Sequence, residues 1–281
     1  MIGRSVHRMS ALTDTYTLSN GVRIPKIGFG TWQIPDGPET YDSVTTALEA
    51  GYRHIDTARA YDNEQSVGRA IRDSGIPRDE IFVTTKLPAE AKDTAAAEAA
   101  FEKTMSELGL DHIDLYLIHA PWPWSDRGSD HRDGNIAAWN VLNGIYESGR
   151  SRAIGVSNFS VSDLESIVEA TGVTPHVDQI RWFVGNTQAE TMRYCGEHDI
   201  LVEAYSPLAT GELLENPQLV EIAGRVGRSV AQVCIRYALE KGTLPLPKST
   251  TPSRIVENAD VDFELSPADV QELDALTDPT A

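Results

Sequence analysis

The chain reads as a (β/α)8 barrel, a fold class that three features predict together. Strand-like apolar runs alternate with amphipathic helical patterns along nearly its whole length. Eight such runs fall within a span of roughly 250 residues, the usual size of that barrel. No Pro/Ser-rich linker or shift in composition divides the 281 residues, so residues 11–281 are expected to form a single barrel domain behind a disordered segment, 1–10. A doubly wound sheet is the alternative, but it would need a third glycine and an acidic partner after its first strand. Here that strand gives Gly28-Phe-Gly30-Thr-Trp32 and supplies neither.

A hairpin comes first. Tyr16-Thr-Leu-Ser19 and Val22-Arg-Ile-Pro25 flank Asn20-Gly21, a dipeptide favoured in two-residue turns. The barrel strands are then expected at 26–31, 52–56, 81–86, 113–119, 153–158, 176–179, 201–205 and 243–247. Between them, 41–50 carries Val44, Ala47 and Leu48 at helical spacing, and 94–108 places Ala97, Phe101, Met105 and Leu108 on one face. Gly51 and Gly109 stop these helices just before the next strand, and Gly149 does the same for a helix around 136–147. Thr251-Pro252 reads as an N-cap followed by proline in the first helical turn.

Composition narrows the function. A hydrophobic fraction of 41% and a charged fraction of 23% are ordinary for a globular protein. A formal charge of −18 disfavours nucleic acid and anionic membranes as partners. No apolar run is long enough to span a bilayer, and the first ten residues lack the apolar stretch of a secretory signal, so the expected location is cytoplasmic. Cys195 and Cys234 offer neither a disulfide framework nor metal-ligand spacing and read as buried apolar residues. His54 and His112 are read as structural, and no metal site is expected.

Several strands end on polar groups. The fourth barrel strand puts Leu115, Leu117 and His119 on one face, the third pairs Thr84 with Lys86, and the second sets His54 a layer below Asp56. In a barrel these project from neighbouring strands at the C-terminal rim, where catalytic groups gather. Tyr61 follows Asp56 in the adjoining loop. Singly, each has a plain structural role available; together, at one rim, they suit carbonyl reduction. Delivering a hydride to a carbonyl leaves an alkoxide in need of a proton. A phenol, with a pKa near ~10, becomes a serviceable acid beside an ammonium. Lys86 is that ammonium, Asp56 its anchor, and His119 the hydrogen-bond donor to the carbonyl oxygen. The hydride must come from a cofactor.

From the hairpin to about Asn258 the chain resembles an aldo-keto reductase, and within that family the bacterial branch of diketogluconate and methylglyoxal reductases. The similarity is carried by the segment 51–68, by Leu117-Ile-His119-Ala-Pro-Trp122-Pro, by Ile154-Gly-Val-Ser157-Asn158-Phe, by Ala204-Tyr205-Ser-Pro-Leu208, and by Leu246-Pro-Lys248-Ser249 through Asn258. The resemblance implies that Asp56, Tyr61, Lys86 and His119 form the catalytic tetrad, with Tyr61 as acid, and that the protein is a monomer. It also implies that Ser157, Asn158 and Gln179 bind the nicotinamide carboxamide and that Tyr205 stacks on the ring. Ser206 and Leu208 would pass the pyrophosphate, Lys248, Ser249 and Arg254 would hold the 2′-phosphate, and Glu257 and Asn258 would lie near the adenine. The residues alone support part of this. Lys248 and Arg254 beside a helix N-terminus after the eighth strand make a phosphate site, and two cations there favour NADPH over NADH.

Trp122 and Trp124 read equally as pocket walls or as packing, while Trp32 leans towards the pocket. Two departures from the family stand out. Its Asn-Gln-Val-Glu run is here Asp178-Gln179-Ile-Arg181. Arg181, on the same strand face as Gln179, either balances buried charge or offers a cation to an acidic substrate. The tail after Leu273 is short, which points to an open, broadly selective pocket. Two competing readings remain in view: a Schiff-base lysine at Lys86, for which Asp56 would have to let the amine lose its proton, and a non-catalytic NADPH-binding regulatory subunit, for which the tetrad would be superfluous.

Overall fold

The computed structural model describes residues 10–278. The expected disorder of 1–10 therefore lies outside the described residues, save Ser10, whose carbonyl accepts the amides of Thr13 and Asp14.

The hairpin is formed by β1 (Thr15–Thr17) and β2 (Arg23–Pro25). Its turn departs from the two-residue expectation. Leu18 N–H donates to Val22 O and Gly21 N–H to Leu18 O, so three residues, Ser19 to Gly21, make the loop. Gly21 takes φ +84°, the left-handed position that closes three-residue hairpins. Leu18 and Ile24 of this hairpin are buried against Phe82, Leu115, Val177 and Leu244, plugging the N-terminal end of the barrel. Burial of side chains of this size contributes ~1.5–3 kcal/mol each.

The barrel follows in strict alternation: β3 (Phe29–Gly30), α1 (Pro38–Glu49), β4 (His54–Asp56), α2 (Glu64–Asp73), β5 (Phe82–Leu87), α3 (Thr94–Leu108), β6 (Ile113–Ile118), α4 (Arg132–Glu147), β7 (Ser151–Ser157), α5 (Val161–Thr171), β8 (Val177–Arg181), α6 (Ala189–Glu197) and β9 (Leu201–Tyr205). Two helices, α7 (Pro217–Val226) and α8 (Val230–Glu240), then lead to β10 (Leu244–Leu246), followed by α9 (Pro252–Ala259) and α10 (Pro267–Asp274). The eight strands β3 to β10 pair in parallel in chain order, each at or within a few residues of its sequence-predicted position. Gly51, Gly109 and Gly149 all adopt positive φ after their helices, as the helix-to-strand reading requires.

Closure is one-sided. Gly28 N–H donates to Pro245 O at 3.1 Å and Gly30 N–H to Pro247 O at 3.0 Å. In a parallel pair a residue's N–H and C=O face the same neighbour, and proline has no N–H to return. Helices pack outside the strands over the main apolar core, while Phe82, Leu115, Leu117, Val177, Leu244 and Leu246 fill the inside. The polar groups lie above this filling. Among the described residues no helix is long and apolar enough to cross a membrane.

Candidate active site

Lys86 points into the barrel from β5 and is wholly buried. Its Nζ donates to Asp56 Oδ1 and Oδ2 at 2.8 and 2.9 Å, to the Thr57 carbonyl at 2.8 Å, and to Tyr61 Oη at 3.3 Å. Burial opposes charge on this amine, but Asp56 and then Tyr61 outweigh it, so the pKa rises and Lys86 stays an ammonium. The phenol behaves otherwise than the sequence suggests. Burial pushes Tyr61 up to about 12; Lys86 pulls the other way without prevailing, and Asp56 adds to the rise. Tyr61 therefore holds its proton in the resting site. Since Lys86 donates to its oxygen, the phenolic hydrogen is left for another acceptor.

The turn that presents Tyr61 is pinned from below. After Asp56 the chain makes a short 3-10 turn (Arg59–Tyr61), and Asp62 goes left-handed at φ 54°. Asn63 then accepts from Thr57 Oγ1 at 2.8 Å and donates to the carbonyls of Thr31 and Ile34. Glu64, fully buried, accepts from Thr85 Oγ1 at 2.6 Å and from Thr104 Oγ1. Neither was singled out as a site residue; the polar run Asp62-Asn63-Glu64 opening a helix was the available signal.

His119 follows β6, and three successive carbonyls fix its loop. His119 O accepts from Asn158 Nδ2 (3.0 Å), Ala120 O from Lys92 Nζ (2.8 Å), and Pro121 O from Asn135 Nδ2 (2.8 Å). Burial and then Lys86 hold the imidazole pKa well below its ordinary range, so the ring is neutral. It meets Tyr61 edge to face, ring centres 5.5 Å apart. Trp124 stands against its other side at 5.4 Å, and Trp122 against Trp124 at 5.2 Å.

A second polar layer lies behind Asp56, Tyr61, Lys86 and His119. Gln179 Nε2 donates to Asp56 Oδ2 at 2.8 Å and to Glu203 Oε2 at 2.7 Å. Glu203 is fully buried, and burial followed by the Asp56 charge raises it to about 8. Sequence reading passed over Glu203, although it sits two residues before Tyr205 and so shares its inward face.

Asp56, Tyr61 and His119 open onto a cleft of about 1090 Å³ that is also lined by Ser157, Asn158, Gln179, Tyr205, Ser206, Leu208, Lys248, Ser249, Arg254, Glu257 and Asn258. Its size lies at the upper end of small-molecule pockets (~300–1,000 Å³), enough for more than a small carbonyl compound. Lys86 lies beneath the floor. Trp32 and Trp124 line the mouth, whereas Trp122 does not: it backs Trp124, with Arg127 lying over its ring at 4.9 Å. The lining also includes Arg127, Pro207, Thr210 and Gly211, which sequence reading did not select.

The hydrogen-bond inventory at one end of the cleft fits a carboxamide. Ser157 Oγ donates to Gln179 O, Asn158 Nδ2 gives its hydrogens to His119 O and Ser157 Oγ, and Gln179 Nε2 gives its own to the carboxyl oxygens of Asp56 and Glu203. All three side chains have spent their donors on the protein; Ser157 Oγ and Asn158 Oδ1 already accept once, from Asn158 and from the Tyr205 hydroxyl, and each of the three oxygens keeps a further lone pair, the complement of an amide NH2. At the other end, Thr251 begins α9 without a side-chain capping bond; Pro252 has no N–H and the Arg254 amide turns back to Thr251 O at 3.0 Å, which leaves the Ser253 amide of the first turn beside Lys248 and Arg254. Neither cation has an ion-pair partner among the described residues. Between the two ends, Ser206, Ala209 and Thr210 all hold positive φ, a strained loop of the kind found at ligand sites.

The aldo/keto reductase family model matches residues 26–278. The chain belongs to the aldo/keto reductase family. It is 43% identical to a glyoxal reductase of Bacillus subtilis over 268 residues, which cover 95% of this chain and 94% of that one. A crystal structure of an aldo/keto reductase from Brucella melitensis superposes with a TM-score of 0.88 at 42% identity, covering 95% of this chain and 98% of that one. An aldo-keto reductase of Bombyx mori in complex with NADP superposes at 0.84 with 33% identity, covering 93% and 92%. As a member of this family the protein is an oxidoreductase that works with a nicotinamide cofactor.

Proposed function

We propose that the protein reduces small aldehydes and ketones to alcohols with NADPH, with Tyr61 as the proton donor. The carrying observation is the contact of Lys86 with both Asp56 and Tyr61, with His119 edge-on to the phenol. When bound, NADPH supplies the hydride that adds to the carbonyl carbon. Tyr61 gives its hydrogen to the oxygen as negative charge builds there, and the Lys86 ammonium stabilises the phenolate left behind. His119, neutral, donates a hydrogen bond to the same oxygen and orients the carbonyl. Solvent restores the proton to Tyr61. Lys248 and Arg254 support NADPH over NADH, since the two cofactors differ by one phosphate that these cations suit.

The fully hydrogen-bonded ammonium weighs against a Schiff-base lysine, whose nitrogen must be unprotonated. The test of the reductase reading is Tyr61→Phe. NADPH consumption with a panel of aldehydes, α-dicarbonyls and keto sugars should fall ~10²–10⁴-fold, while NADPH affinity measured by fluorescence is retained. Undiminished turnover in that variant would refute the proton-donor role, and a parent protein that binds NADPH but reduces nothing would favour a regulatory subunit.

A further inference from the structure

We propose that Glu203 makes the cofactor site distinguish the two oxidation states of the nicotinamide: as a carboxylate it favours the cationic, oxidised ring, and as a carboxylic acid it gives that ring no advantage. This rests on the reductase reading, with the carboxamide held at the Ser157, Asn158 and Gln179 end of the cleft, and adds a residue that sets which form of the cofactor is retained.

Two buried carboxyls share one amide group. Gln179 Nε2 gives its hydrogens to Asp56 Oδ2 at 2.8 Å and to Glu203 Oε2 at 2.7 Å. The single ammonium beside them serves them unequally: Lys86 donates to Asp56, to the Thr57 carbonyl and to Tyr61, and none of its hydrogen bonds goes to Glu203. The other elements around Glu203 bring it no cation. From β4, His54 Nε2 stands 3.8 Å from Oε1, but burial and then Lys86 lower that imidazole to about 3, so it is neutral. The register partners of Glu203 are Gln179 on β8 and Leu244 on β10, and the next residue of its own strand face is Tyr205. Among the described residues Oε1 has no hydrogen-bond partner. Like charges so close oppose one another, and Glu203 is the member that keeps a proton: burial and then Asp56 raise it to about 8.

Glu203 stands one side chain behind the carboxamide subsite. The Gln179 nitrogen faces the two carboxyls, which turns its oxygen to the cleft that Ser157, Asn158 and Tyr205 also line. Glu203 itself is wholly buried, where solvent and salt screen a charge poorly. Losing hydride converts a neutral dihydronicotinamide into a ring with one positive charge. A carboxylate behind the subsite attracts the oxidised ring and barely affects the reduced one. While Glu203 holds its proton, NADP+ has no such hold and leaves after reduction; once the proton is gone, NADP+ is retained. By reciprocity, bound NADP+ must draw the proton off Glu203. The nearby groups do not imitate this near pH 8: Tyr61 titrates at about 12, His119 is neutral, and Lys86 stays charged.

The test is the ratio of Kd for NADP+ to Kd for NADPH, measured by isothermal titration calorimetry from pH ~6 to pH ~9.5. In the parent, NADP+ should tighten relative to NADPH by at least ~5-fold across that span, the low end of coupling between two sites. The 2′-phosphate and the cations that suit it are common to both nucleotides and cancel in the ratio. Glu203→Gln, which keeps an oxygen for Gln179 but cannot ionise, should hold the ratio constant. Should that variant fold poorly, the parent still decides. In weakly buffered solution at pH ~7.5, an indicator dye should show NADP+ releasing a larger fraction of a proton than NADPH does. A parent ratio independent of pH, or a pH dependence that survives Glu203→Gln, overturns the proposal. So does equal proton release by the two nucleotides. In these cases both cofactors still bind and the reductase reading is untouched; failure to bind either one overturns both readings.

Discussion

Glu203 fixes which way Gln179 faces. The Gln179 amide nitrogen has an accepting carboxyl oxygen on each side, Glu203 at 2.7 Å and Asp56 at 2.8 Å, so its oxygen must turn towards the cleft. Replacing Glu203 by leucine removes one acceptor and strands a buried N–H at a loss of about 1–3 kcal/mol. Glu203→Leu should therefore unfold at lower urea and bind NADPH more weakly, whereas Glu203→Gln, which still offers an oxygen, should stay near the parent in both measurements.

The same residue makes stability depend on pH. Its carboxyl is raised from 4.5 to about 8 in the folded chain, mainly by burial and then by Asp56. Between those values the native state keeps a proton that the unfolded chain releases, so this group's contribution is full below 4.5 and is lost as pH climbs through 8. Glu203→Gln has no such proton. Its Tm relative to the parent should rise steadily from pH 5 to pH 9; a constant difference would contradict the assignment.

Asp56 and Lys86 should fail singly and recover together. Asp56→Asn leaves a buried ammonium without its counter-charge, a destabilisation of about 3–5 kcal/mol that chemical denaturation will read. The double change Asp56→Leu with Lys86→Met removes both charges and should regain most of that stability. On the proposed mechanism it should regain no turnover, since Tyr61 would then lack the cation proposed to stabilise its phenolate.

Arg254→Ala separates the two nicotinamide cofactors. It should weaken NADPH by roughly ten-fold or more, the worth of a charged contact to phosphate, and leave NADH affinity nearly as it was. Titrations with both cofactors decide it; equal losses would mean that Arg254 does not contact the 2′-phosphate.

The barrel and much of the candidate site were legible in the sequence because both depend on period-two strands and on what stands at their ends. Lys86 and His119 could be recognised for that reason, and the eight strands fell close to where they were expected. Glu203 could not, because an acid between Val202 and Ala204 also fits the ordinary alternation of a half-exposed strand. The sign of the shift at Tyr61 was out of reach for another reason. Lys86 was visible as a neighbour, but the burial that outweighs it is a property of the assembled cleft. Trp122 and Trp124 show the same limit at a loop, where chain order does not reveal which ring faces the ligand and which supports the other.

The two prolines at the barrel's seam give the cofactor a mechanical part to play. Gly30, Pro247 and Lys248 all border the cleft, so a dinucleotide lying there bridges the first and last staves where the wall is held by amides from one side alone. Occupancy would then act as a hoop. The loaded enzyme should gain thermal stability with the logarithm of ligand concentration, and the slowing of amide exchange should be greatest at Gly28 and Gly30.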